Sequence, residues 1–169
     1  MKLLVRKLWF PHDVDETATA LFRIPQMREK FDEGWKYDGE MRPRGIKICP
    51  GYWPAKGILE KLPQTDKDVY LVLTAVELKG DYGGIYGRGE NRRAIASSQG
   101  YTNGYGVFHT DEVMFSAMAF GEIGHALGLE HHEIDLDNPC EMSHNQIPHT
   151  DWPSLDKICF CDECYRKIK

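Results

Sequence analysis

The strongest apolar signal in the chain is DVYLVLTAVEL, Asp68 to Leu78, where apolar residues follow one another without alternation. A run of that kind is a strand buried on both faces, which predicts the centre of a sheet. Upstream, KLLVRKLWF mixes β-branched, aromatic and basic positions and predicts a first strand that ends at Pro11. DVDETATALFRIPQMREKF predicts a helix with acidic residues in its first turn, limited or kinked at Pro25. After the Pro/Gly/Arg-rich connection GEMRPRGIKICPGYWPAKG, GILEKLPQ reads as a short helix. RRAIASS reads as a short strand following an RGEN turn.

The clearest helix is DEVMFSAMAFGEIGHALGLE, about 111–129, in which Val113, Met114, Ala117, Met118, Ile123, Ala126 and Leu127 recur at helical spacing. Asp111 and Glu112 suit its first turn, and Gly128 suits its C-terminal stop. Strands and helices in this order predict one α/β (α+β) domain over 1–169. An edge strand beside the long helix would offer an extended peptide a place to pair.

Charge narrows the function classes. With 26 acidic and 21 basic residues the formal net charge is −5, which argues against nucleic acid and against anchoring to anionic membranes. No segment approaches the roughly 18 apolar residues of a membrane span, and MKLLVRKLWFPHDVDE lacks the features of a secretory signal. The expectation is a soluble cytoplasmic protein; its oligomeric state is not legible. The five cysteines are spread unevenly. Cys49 stands alone while Cys140, Cys159, Cys161 and Cys164 crowd the end of the chain, a pattern that reads as a metal site in a reducing compartment.

The chemistry concentrates in FGEIGHALGLEHH, Phe120 to His132. Read from position 121 as H-E-x-x-H-x-x-G-x-x-H, every fixed position fits except the first, where Gly121 stands in place of histidine. In such sites two histidines four apart on one helix face reach one zinc, and the glutamate beside the first is the general base for a zinc-bound water. The glycine lets the chain turn back so that a last histidine reaches the metal. Glu122, His125, Gly128 and His131 occupy those places. Read blandly, His125 is a partly buried histidine, Gly128 a helix cap and His131 a loop residue.

Downstream stand Cys140 and Met142 in DNPCEMSHNQ, then Cys161 and Cys164 in CDEC. Together H-x-x-G-x-x-H, C-x-M and C-x-x-C resemble the archaemetzincins, a branch of the metzincin zinc metallopeptidases. The likeness extends to YWPAKGILEKL, the buried strand and IYGRG…RRAIASS, about two thirds of the chain. It implies a metzincin-like zincin fold, with a twisted mixed sheet packed on the active-site helix. A small C-terminal subdomain, 132–169, would follow the N-terminal one, 1–131. It further implies that Glu122 is catalytic, that His125 and His131 bind the catalytic zinc, and that Met142 lies beneath the metal. A structural zinc would be held by Cys140, Cys161 and Cys164.

Two departures bear on function. Gly121 removes a ligand: if structural zinc is worth roughly 10–16 kcal/mol, one ligand is worth on the order of 3 kcal/mol, or about a hundredfold in affinity. The resemblance thus implies a catalytic zinc site that is weak or empty, unless His132, His144, His149 or a bound carboxylate completes it. At the cysteine site the family's first cysteine falls on Asp135, and the Met142 to Cys161 spacing is one residue longer than the family's. Cys159 is the expected replacement, with Asp135 or His132 as alternatives. Three functions follow: a zinc metallopeptidase with an impaired site and a peptide or protein substrate, a noncatalytic peptide-binding relative that keeps only the structural zinc, or a small zinc-stabilised interaction or nucleic-acid module, which the acidic balance disfavours.

Overall fold

Within the central strand, Val69, Leu71 and Leu73 face one buried cluster while Tyr70 and Val72 face another, which is why its sequence shows no alternation. The computed structural model describes residues 1–42, 44, 46, 52–80, 84–100, 108–109, 112–133, 139–143 and 152–168. Cys49, Asp111, Asp135, His144 and His149 lie outside the described residues.

The strands are β1 (Leu3–Leu8), β2 (Trp35–Glu40), β3 (Trp53–Pro54), β4 (Val69–Thr74), β5 (Leu78–Lys79), β6 (Gly84–Ile85), β7 (Gly87–Glu90), β8 (Arg93–Ser97), β9 (Gln99–Gly100) and β10 (Phe108–His109). The helices are α1 (Val14–Leu21), α2 (Pro25–Lys30), α3 (Ala55–Leu59), α4 (Glu112–Ala126) and α5 (Asp162–Ile168). The main sheet runs β2-β1-β4-β8-β7, parallel except where β7 pairs antiparallel with β8. This is the expected mixed sheet, with the predicted central strand third of five.

Helices cover both faces. α3 places Ile58 and Leu59 against Tyr70, Val72 and Ile95. On the other face α1, α2 and α4 share a core with Leu3, Val5, Leu71, Ala94 and Ala96. The predicted N-terminal helix is two: Pro25 cannot continue α1 but suits the first turn of α2. Asp13 caps α1, its Oδ1 accepting from the backbone N–H groups of Asp15 at 2.7 Å and Glu16 at 3.1 Å.

Three elements depart from the sequence reading. WKYDGE forms edge strand β2, whose sparse burial leaves little apolar pattern to read. The expected RGEN turn falls later: Arg88, Gly89 and Glu90 belong to β7, and the chain reverses at Asn91 and Arg92, with φ of 49° and 60°. The C-terminal segment ends in α5. Leu155, Ile158, Phe160 and Ile168 enter the same core as Leu3 and Phe120. Gln26 fastens this segment to α2, its Nε2 donating to the Phe160 carbonyl at 3.0 Å and its Oε1 accepting from the Phe160 N–H at 2.7 Å. None of the described helices is long and apolar enough to cross a membrane.

Candidate metal centres and active-site cleft

α4 is apolar on most sides because it lies between the sheet and the C-terminal segment. It stops at Gly128, whose φ is 92°. There the Leu129 N–H donates to the Gly124 carbonyl and the Gly128 N–H to the His125 carbonyl, both at 3.0 Å, the paired bonds of a Schellman cap. The turn carries the Leu129 carbonyl back to His125, 2.9 Å from its Nδ1. A carbonyl only accepts, so Nδ1 carries the proton and Nε2 keeps its lone pair.

His131 is fixed the same way. Its Nδ1 lies 3.2 Å from the Met142 carbonyl, and its Nε2 comes within 3.1 Å of His125 Nε2. Two lone pairs so placed repel unless a proton or a cation lies between them. Tetrahedral zinc with bonds of about 2.0–2.1 Å sets two nitrogen ligands about 3.3 Å apart, so the pair fits zinc. Among the described residues no further His, Cys, Asp or Glu joins these two in a group whose ligand atoms all lie within 4.8 Å of one another.

Glu122 projects beneath β7. A Cβ on Gly87 would meet its Cγ at 2.5 Å, and one on Gly89 would collide with its backbone carbonyl, so both glycines are needed for the helix to approach the strand. Burial first, and the charge of Glu141 second, push the Glu122 carboxyl up to about 8, with Arg88 acting in the opposite direction. Under the helix, Gly124 leaves room for Met142 and Phe160: a Cβ there would lie 2.9 Å from Met142 Sδ and 2.7 Å from Phe160 Cζ. The alternating glycines of GRG were the available signal for Gly87 and Gly89, and they were read as a turn.

Beside Gly121 stands a residue that sequence reasoning missed. Glu141 is buried, and a Cβ at position 121 would meet its Cγ at 3.2 Å and its Oε1 at 3.4 Å. Its Oε2 accepts from Trp152 Nε1 at 2.7 Å. The x of C-x-M gave no hint of this contact.

The second centre brings together His132, Cys140, Cys161 and Cys164, whose ligand atoms all lie within 4.8 Å of one another. His132 Nδ1 lies 2.7 Å from the Glu133 carbonyl, which leaves Nε2 to face Cys161 Sγ at 3.6 Å. Three thiols and an imidazole are a zinc set. The expected Cys159 is outside this group. Its thiol points to the Pro139 carbonyl at 3.4 Å, while its own carbonyl accepts from the Glu141 N–H at 2.9 Å. His132 stands in the fourth position instead, and so is directed away from the His125–His131 pair it was also considered to complete.

The thiols differ in acidity. Burial raises Cys140, and burial and the neighbouring Cys140 push Cys164 up to about 12. Cys161 is also opposed by burial, but hydrogen bonds, led by the Cys164 N–H, bring it below the usual thiol value. Burial pushes the Cys159 thiol up to about 11. His131 and His132 are consecutive yet face different groups, His125 and the cysteines, because the chain is extended there and His132 pairs with Ser143. The Met142 carbonyl meets both residues, accepting from the His132 N–H at 3.1 Å as well as from His131 Nδ1.

This architecture has close counterparts among solved structures. An archaemetzincin from Methanopyrus kandleri superposes with a TM-score of 0.69 at 19% identity, over 99% of this chain and 93% of that one. The chain has the archaemetzincin fold. An archaemetzincin from Archaeoglobus fulgidus gives 0.65 at 22% identity, over 99% of both chains. A zinc-dependent peptidase from Methanocorpusculum labreanum gives 0.64 at 16%, over 98% of this chain and 100% of that one. No protein-family model and no curated protein matches the sequence. The expected long helix lies beneath the outer strand of this fold, and the His/Cys cluster fits a C-terminal zinc site.

Proposed function

We propose that this chain is an archaemetzincin-like zinc-dependent metallopeptidase, its catalytic site weakened at Gly121. The observation that carries the reading is the convergence of His125 Nε2 and His131 Nε2 at 3.1 Å, each ring held by a backbone carbonyl on its other nitrogen. Zinc between them would polarise the scissile carbonyl and acidify the attacking water. Glu122 takes the proton from that water as its oxygen bonds to the carbonyl carbon, then passes it to the amine nitrogen as the C–N bond breaks. The outer strand β7 lies over Glu122 and orients an extended peptide by strand pairing. A second zinc on His132, Cys140, Cys161 and Cys164 fastens the C-terminal segment.

The second reading is a noncatalytic peptide-binding relative that keeps only the cysteine-site zinc. Gly121 favours it, as does the burial that keeps Glu122 protonated near neutrality. Zinc per chain, measured after equilibration with micromolar zinc, separates the two, together with hydrolysis of a quenched-fluorescent peptide library. Two zinc ions, with hydrolysis lost at least a hundredfold in Glu122→Gln, support the peptidase. One zinc and no hydrolysis support the binding protein.

A further inference from the structure

We propose that Glu141 supplies the third protein ligand to the His125–His131 site, in place of the imidazole that Gly121 lacks. This rests on the reading that the two histidines hold zinc.

Position is the first argument. The Glu141 side chain lies in the space that a side chain at 121 would enter, with Oε1, the oxygen nearest Gly121, 3.4 Å from the Cβ position. Histidine at 121 and glutamate at 141 would therefore compete for one volume. Even a Cβ at 121 would press on Glu141 Cγ at 3.2 Å, and an imidazole reaches further into the same space.

Burial is the second. Glu141 is 5% exposed, and a carboxylate withdrawn from water is costly unless charge or hydrogen bonds offset it. A divalent cation at the neighbouring histidine pair is such an offset. Two imidazoles and one carboxylate are an established catalytic zinc set that leaves the fourth position for water.

The third is support from outside the site. Trp152 Nε1 donates to Oε2 at 2.7 Å, a hydrogen bond of the kind that supports a ligating carboxylate from outside the site. The backbone of Glu141 is fixed by its N–H bond to the Cys159 carbonyl. On one side lies Cys140, of the cysteine centre; on the other lies Met142, whose carbonyl orients His131. The ligand atoms of Glu141, His125 and His131 do not all lie within 4.8 Å of one another, so zinc binding would draw the Glu141 side chain toward the two nitrogens.

The test is competitive zinc titration of the full chain, with thermal unfolding recorded alongside. Wild type should bind two zinc ions. Glu141→Gln, which keeps the volume and a Trp152 acceptor, should weaken the second by about a hundredfold and leave the cysteine-site zinc in place. Combining Gly121→His with Glu141→Ala, which vacates the shared volume, should recover the affinity that Glu141→Ala alone loses, an outcome that a packing role for Glu141 does not produce. Should the Gln variant fail to fold, Glu141→Asp, shorter by one methylene, should show the same selective weakening. Unchanged second-site affinity in Glu141→Gln, with loss of that zinc in His125→Ala, would overturn the proposal and leave the histidine site standing. A wild type that takes up only one zinc would overturn both.

Discussion

Gly89 on β7 lies directly against the backbone carbonyl of Glu122 on α4, with no room for a methyl group between them. The contact sets the spacing between the outer strand and α4. The same Cβ would also come within 2.8 Å of the Ala126 backbone nitrogen and of His125 Cβ, so side-chain rotation cannot relieve it. Helix and strand would have to separate.

Gly89→Ala is therefore expected to destabilise the fold by about 3 kcal/mol, the upper range for overpacking. Urea unfolding measures this directly. A loss under 1 kcal/mol would mean that the helix and strand are free to part.

The Glu122 carboxyl gives stability a distinctive pH profile. Its value is about 8 in the folded chain against 4.5 for the unreacted side chain. Below pH 4.5 the group is protonated in both states. Between 4.5 and 8 the unfolded chain releases a proton that the folded chain retains, so stability falls as pH rises, and above about 8 the loss is complete. Glu122→Gln mimics the protonated acid. In protein carrying only the cysteine-site zinc, it should match wild type below pH 4.5 and exceed it above pH 8 by on the order of 5 kcal/mol. Melting curves that stay parallel across this range would contradict the buried, proton-holding carboxyl.

At the second centre the competing fourth ligands are separable. His132→Ala should weaken cysteine-site zinc by about a hundredfold, whereas Cys159→Ser should leave it unchanged. Chelator competition on the two variants decides the matter; the reverse order would return Cys159 to the ligand set.

The sequence made the central strand and the long helix legible because each has a period or a length that burial imposes. β4 is apolar on both faces, and α4 runs 15 residues to a glycine stop. The approach of His131 to His125 was readable because the glycine after the helix turns the chain back toward it. Short-range pattern carries no such information for Glu141. Its meeting with Gly121 depends on how the C-x-M segment docks under a helix 20 residues earlier, which only tertiary packing determines. The choice of His132 over Cys159 was hidden for a related reason. Spacing counts residues, but the extended strand at His132 and the Cys159 thiol's turn toward Pro139 decide which side chains face inward. The turn at Asn91 and Arg92 was displaced because glycine is permissive: Gly87 and Gly89 serve close packing, while the positive φ values fall on the two larger residues that follow.

The amide of Gln26 meets Phe160 across 134 residues with both a donor and an acceptor, as a paired strand would. The N-terminal helices can therefore complete their packing only after nearly the whole chain has been synthesised. Folding of this domain should be slow, in keeping with contacts of such long sequence separation. Cys161 and Cys164 lie in the same closing segment, so the cysteine cluster assembles only with that closure.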